Sequence, residues 1–96
     1  MNQEFKLIVA GGRDFADYPT LVRVLFALAE VDYADKEISI VSGMARGADA
    51  LGTKFAKEHE VALHEFPANW KKYGKSAGYR RNEEMGNFAD GLLAFW

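Results

Sequence analysis

The strongest constraint in this chain is an alternation: short apolar runs that stop at glycine or proline, each followed by a stretch with helical spacing. Phe5 to Ala10 is apolar except for Lys6 and stops at Gly11-Gly12, and Ile38 to Ser42 is β-branched and stops at Gly43. Such uninterrupted runs read as strands buried on both faces, the habit of a parallel sheet. After the first strand, Tyr18-Pro19-Thr20 opens a helix over about 19 to 31, with Leu21, Val24, Leu25, Leu28 and Val31 on one face. Pro19 is acceptable in its first turn, where no N–H partner is needed. A second helix runs from Gly47 to His59 on the spacing of Ala48, Leu51, Phe55 and Ala56.

Val61 to Phe66 alternates more, with His64 and Glu65 inside it, and Pro67 ends it, so this third strand belongs at a sheet edge. Residues 67 to 76 read as a polar loop, 77 to 88 as a third helix and Leu92 to Trp96 as a fourth, strongly apolar strand. Right-handed crossovers between parallel strands leave few arrangements. The order 3-2-1-4 sets the two most apolar strands side by side, with the first two helices on one face and the third on the other. The expected fold is therefore a single α/β, Rossmann-like, three-layer domain over residues 1 to 96, built on a four-stranded parallel sheet. Phe95-Trp96 would then lie on an unpaired edge, which calls for cover by a second copy of the chain or by further strands. A homo-oligomer formed through the 92 to 96 edge or an exposed sheet face is the expected assembly.

With 96 residues, 49% of them hydrophobic, the chain can build one core and no second domain. Twelve lysines and arginines against fourteen aspartates and glutamates leave a formal charge of −2, so no global field draws in DNA or a membrane. There is no cysteine, hence no disulfide and no thiolate site, and the two histidines lack the partners of a metal centre. Neither a metal nor a cofactor is expected. No apolar run approaches a membrane span and no basic-then-apolar leader opens the chain, so the expected location is cytoplasmic.

Three loops carry the chemistry. Gly11-Gly12-Arg13-Asp14-Phe15 follows the first strand, where missing Cβ atoms expose backbone N–H groups and Arg13 can meet an anion. A tight turn with Arg13 and Asp14 paired on the surface is the bland alternative. Ser42-Gly43-Met44-Ala45-Arg46-Gly47-Ala48-Asp49 joins the second strand to the second helix and concentrates small residues where a helix begins. Helix N-termini favour phosphate, Gly43 and Gly47 permit close approach, Ser42 offers a hydroxyl and Arg46 a fixed charge. Its spacing matches neither the dinucleotide fingerprint nor the triphosphate-binding loop. Asp49 either complements the helix dipole or accepts a ribose hydroxyl. From Ala68 to Asn82, Lys71, Lys72, Lys75, Arg80 and Arg81 interleave with Trp70, Tyr73 and Tyr79 without an acid, a mixture suited to phosphate capture and base stacking, or simply a solvated loop. Glu83-Glu84 fits the first turns of the third helix, and Glu84 is the available general acid or base.

Together, Gly11 to Phe15, Ser42 to Asp49 and Ala77-Gly78-Tyr79-Arg80-Arg81-Asn82-Glu83-Glu84-Met85 resemble the YspA-type branch of the SLOG superfamily, which also contains the YpsA-like proteins, DprA and the LOG phosphoribohydrolases. The resemblance runs from Leu7 to Trp96 and implies a Rossmann-like sheet with a site for a nucleotide-related small molecule. Ligand-binding positions carried over or read from the loops are Gly11, Gly12, Arg13, Asp14, Ser42, Gly43, Met44, Arg46, Gly47, Asp49, Arg81 and Asn82. Arg81 stands four residues before Met85, as does the active-site arginine of the LOG-type motif, whereas Asn82 replaces the lysine often found next there. LOG enzymes place an essential glutamate after the fourth strand, so a chain ending at Trp96 is expected to be a shortened copy lacking C-terminal strands. Binding or sensing of a nucleotide derivative follows as the leading function. N-glycosidic hydrolysis of nucleoside monophosphates using Glu84, and single-stranded nucleic-acid binding as in DprA, are the alternatives.

Overall fold

A computed structural model describes residues 3–32 and 34–96. Strand β1 is Gln3–Gly11, β2 Lys36–Ser42, β3 Leu63–Glu65 and β4 Gly91–Phe95. They form one sheet in the order β3-β2-β1-β4, and each neighbouring pair is parallel. The expected order and edge positions are thus found. Strands β1 and β2 begin two residues earlier than the apolar runs do, because Gln3 and Glu4 pair with Lys36 and Glu37. Strand β3 is only three residues long: Val61 and Ala62 precede the strand, although the Ala62 carbonyl still accepts from Ile40 N–H at 2.8 Å.

Helices α1 (Tyr18–Ala27) and α2 (Ala48–Glu58) share one face of the sheet. Their buried Leu21, Leu25, Phe55 and Ala56 close over Leu7 and Val9 of β1 and Ile40 of β2, with Phe95 of β4 at the side. Asp17 caps α1 by accepting from Thr20 N at 3.2 Å and Thr20 Oγ1 at 2.7 Å, which satisfies an N–H that the helix leaves free. The α-helical part of this segment stops at Ala27 and continues as a π-helical turn over Leu28–Asp32. The wider turn rotates Val31 off the apolar face, and it is exposed although the helical spacing placed it on the core side.

The expected polar loop at 67 to 76 contains a short helix α3 (Trp70–Tyr73) and a 3-10 turn (Gly74–Ser76). Asn69 caps α3 through Lys72 N–H at 3.1 Å. Helix α4 (Ala77–Phe88) covers the other sheet face near β2 and β3, where Phe88 stands edge-on to His64, 4.8 Å between centroids, and 5.3 Å from the Lys6 ammonium. It leaves that face of β4 open: Leu92 and Ala94 are exposed. Among the described residues no strand pairs with the outer edge of β4, and Trp96, placed in the strand by sequence, lies beyond it and is exposed.

Helix α2 approaches the sheet closely at Gly52, where a Cβ would stand 2.8 Å from Val9 Cβ and 2.9 Å from its Cγ1. Gly52→Ala should lower stability by about 1–3 kcal/mol through overpacking, despite a helix-propensity gain of about 1 kcal/mol. Thermal unfolding measures this, and Val9→Ala introduced with it should recover part of the loss; an unchanged or raised melting temperature for the single variant would refute the contact.

Candidate functional site

All three loops meet at the carboxyl edge of the sheet, the position where open α/β sheets bind ligands. A cavity of about 740 Å3 is lined by Arg13 from the β1 loop, Gly43 to Arg46 from the β2 loop, Trp70 and Lys75 from the α3 segment, and Tyr79, Arg81 and Asn82 from α4. Four cationic side chains and no carboxylate belong to this lining. Its size lies within the range of small-molecule sites.

Arg81 ties two of these elements together. From α4 it donates through Nη1 to the Gly43 carbonyl, and through Nε to Asn82 Oδ1 at 2.8 Å. Its side chain lies flat against Gly43, where a Cβ would meet Arg81 Nη1 at 2.8 Å and Cζ at 3.0 Å. Of the guanidinium's five N–H groups, those two bonds leave the rest for a ligand. Trp70 lies beside Gly78 and remains 59% exposed, with Tyr79 at 80%. Two aromatic faces therefore border a cationic pocket.

Several residues expected to bind ligand make contacts that hold the loops together. Gly47 adopts φ +80°, and a Cβ there would collide with the Gly12 carbonyl and Arg13 backbone, so its bareness serves the contact between two loops. Gly11 faces the Phe95 carbonyl in the same way, and Gly12 N–H donates to that oxygen at 2.8 Å. The Ser42 hydroxyl accepts from Met44 N at 3.1 Å and Thr53 Oγ1 at 2.9 Å, which occupies both its lone pairs. Met44, whose φ of 62° is left-handed, is steadied by the first of these bonds. Asp14 lines a different depression with Phe15 and Trp96. Glu84 borders a smaller pocket of about 220 Å3 with Arg80 and Lys72, and the main cavity does not reach it.

Asp49 is buried, and its carboxylate accepts from Gly43 N–H at 3.2 Å. Burial pushes its carboxyl above the usual 3.8, opposed by the N–H groups of Gly43 and Ala45 and by the charge of Arg81. It lines a second groove of about 470 Å3 that joins the main cavity at Arg13, Ala45, Arg46, Arg81 and Asn82. Sequence reading left Trp70, Lys75 and Tyr79 in a basic aromatic stretch without committing them to the site; their signal was that interleaving. Arg80, from the same stretch, stacks on Tyr73 at 4.2 Å and turns to the smaller pocket. Among the described residues no group of three or more histidines and carboxylates could hold a metal, and no helix is long and apolar enough to cross a membrane.

A parallel four-stranded sheet with helices on both faces and a cationic, aromatic-bordered cavity at its carboxyl edge defines a Rossmann-like α/β class of domain. The YAcAr family, described as the YspA, cpYpsA-related SLOG family, matches residues 5–73, and the chain belongs to this family. The match contains the first two loops and α3, and ends before Arg81. No curated protein and no solved structure gives a significant match.

Because its carboxyl is raised in the folded chain, Asp49 binds a proton more readily folded than unfolded, so its contribution to stability falls as pH rises from about 4 through its folded value. Asp49→Asn removes that slope while keeping one acceptor for Gly43 N–H. The stability of Asp49→Asn relative to the native chain should improve as pH is raised from about 4 to 7. Paired urea melts across this range test it, and a difference that stays flat or moves the other way would contradict the burial of a charged carboxylate.

Proposed function

We propose that the chain binds a nucleotide or nucleotide derivative at the carboxyl edge of the sheet. SLOG membership supports a nucleotide-related role in general. The observation that carries the reading to this site is the gathering of Arg13, Arg46, Lys75 and Arg81 with Trp70 and Tyr79 around one cavity. Phosphate oxygens would take the free guanidinium N–H groups in charge-assisted bonds, the strongest hydrogen bonds available. A base would stack on Trp70 or Tyr79, which is worth about 1–3 kcal/mol per base and tolerates any base. Gly11, Gly12, Ser42, Gly47 and Asp49 serve this site by fixing loop backbone, and Gly43, Met44, Arg46, Arg81 and Asn82 line it directly.

The competing readings have weaker support. Hydrolysis of an N-glycosidic bond by Glu84 needs that carboxylate in the main cavity, and it lines another pocket. For single-stranded nucleic acid, Arg80 and Lys72 are partly spent on the Tyr73 ring. A second copy of the chain pairing along the open outer edge of β4 belongs to the same proposal and concerns assembly only.

Nucleoside mono- and diphosphates should raise the melting temperature, and Arg81→Ala should weaken their binding about ten- to a hundredfold, the loss of one or two bonds from a charged group. Calorimetric titration measures both. If no nucleotide shifts the melting temperature, or if Arg81→Ala binds as the native chain does, the site assignment fails. Single-stranded oligonucleotide binding that collapses steeply with salt while nucleotides do not bind would favour the nucleic-acid reading instead.

A further inference from the structure

The smaller pocket next to the main cavity gathers opposite charges that do not pair with one another. It measures about 220 Å3 and is bordered by Lys72 and Tyr73 of α3, by Arg80, Arg81 and Glu84 of α4, and by Asn69. Arg80 and Glu84 stand one helical turn apart, the spacing at which opposite charges commonly pair on a helix. Among the described residues, however, the ion pairs are Lys6 with Asp90 and His64 with Glu4, and none joins the charges of this pocket. The Tyr73 ring accounts for the separation. It carries the Arg80 guanidinium at 4.2 Å and the Lys72 ammonium at 5.1 Å, while Ser76 Oγ accepts from Arg80 Nε at 3.2 Å. An aromatic face attracts cations without neutralising them, so both groups are held in place with their charge unspent. The terminal N–H groups of Arg80 remain for a ligand.

We propose that this pocket binds a free acidic α-amino acid. Three cations and one carboxylate border it, and an acidic amino acid presents the opposite set, two carboxylates and one ammonium. Its carboxylates take the free guanidinium N–H groups of Arg80 and Arg81 and the Lys72 ammonium in charge-assisted bonds, planar fork to planar carboxylate at the arginines. Its ammonium meets Glu84, the one carboxylate of the lining. Other occupants answer only part of this set. Inorganic phosphate or a dicarboxylate would satisfy the cations and press a further negative charge on Glu84, and an amine without a carboxylate would face three cations. A peptide lacks the pattern, because chain linkage turns the α-ammonium or the α-carboxylate of a terminal residue into an amide. The volume lies below the range of drug-sized ligands and suits a molecule of a few heavy atoms. Of these charged residues only Arg81 also lines the main cavity, so the inference goes beyond the nucleotide reading.

Calorimetric titration of the full chain with L-glutamate, L-aspartate, glutarate and 4-aminobutyrate tests the site. Glutarate is glutamate without its ammonium, and 4-aminobutyrate is glutamate without its α-carboxylate. L-Glutamate or L-aspartate should bind about tenfold or more tighter than either. Glu84→Gln keeps size and helix propensity and should bring glutamate within about twofold of glutarate. Arg80→Gln should weaken glutamate and glutarate alike. Both positions are exposed on α4, so the substitutions leave the core intact; Lys72→Gln on α3 takes the place of Arg80→Gln if circular dichroism shows that variant to be unfolded. Glutarate binding as tightly as glutamate to the native chain, or a glutamate preference that survives Glu84→Gln, overturns the amino-acid site. Absence of binding by both amino acids at about 10 mM overturns it as well. Each of these failures leaves the nucleotide reading standing, because that reading is tested by nucleotides and Arg81→Ala.

Discussion

The carbonyl oxygen of Gly12 is the point on which the carboxyl edge depends. It accepts from Phe15 N–H at 3.2 Å, closing the turn after β1, and from Ala48 N–H at 3.3 Å, anchoring the first turn of α2. The same residue's N–H donates to Phe95 O at 2.8 Å. One residue thus joins the ends of β1 and β4 to the start of α2, and each bond pairs a backbone group that would otherwise cost energy away from water. The junction is possible because Gly47 carries no side chain and takes a left-handed conformation against the Gly12-Arg13 backbone. Arg13 and Arg46, which flank these two glycines in sequence, are brought to one cavity by that contact.

From that junction the site extends to α4 through Arg81. Its bond to the Gly43 carbonyl crosses from helix to loop, and Asp49 holds the neighbouring Gly43 N–H from the other side. Both polar groups of one glycine are therefore occupied, which stiffens the β2 loop where Met44 sits in an unfavourable left-handed conformation. Such strain, of order 1–3 kcal/mol, persists where surrounding bonds over-determine it. A buried aspartate within reach of an arginine's field gains from that charge, and the arginine is held in place by its bonds to Gly43 and Asn82.

Much of this was legible in sequence, and the remainder shows where letters are ambiguous. Apolar runs ending at Gly11 and Gly43 gave strands, and right-handed crossovers then left the observed order. Gly47, Ser42 and Asp49 were expected as ligand-binding residues, and in the structure each makes contacts that bind chain to chain. A small or polar residue in a loop signals close approach without naming what approaches, and only coordinates separate a ligand from a neighbouring backbone. Helix α3 escaped because four residues carry no hydrophobic period; its signal is the Asn69 cap, which any polar loop can mimic. The π-helical turn escaped because a widened turn leaves composition unchanged and shifts only the face, as Val31 records. Trp70 and Tyr79 were visible as aromatic letters among lysines, but their shared border on one cavity follows from the packing of α3 against α4, which spacing does not give.

The distribution of charge explains how an acidic chain builds a cationic site. Glu4 and Asp90 lie at the amino ends of β1 and β4, where Glu4 pairs with His64 at 2.9 Å and Asp90 with Lys6 at 3.5 Å. Both carboxyls are held below their ordinary values, Glu4 first by its bond from His64 and Asp90 first by its bond from Lys6 N–H. Asp17 is spent on the α1 cap and Glu58 on the Tyr18 hydroxyl. These four acids are engaged at the amino edge and along the helices, while Arg13, Arg46, Lys75 and Arg81 line the main cavity at the carboxyl edge. Net charge governs solubility and long-range steering, but a ligand in a cleft responds to the few charges that line it. Surface pairs such as Lys6 with Asp90 contribute little to stability, and at the carboxyl edge Asp14 and Asp49 line neighbouring depressions and not the main cavity.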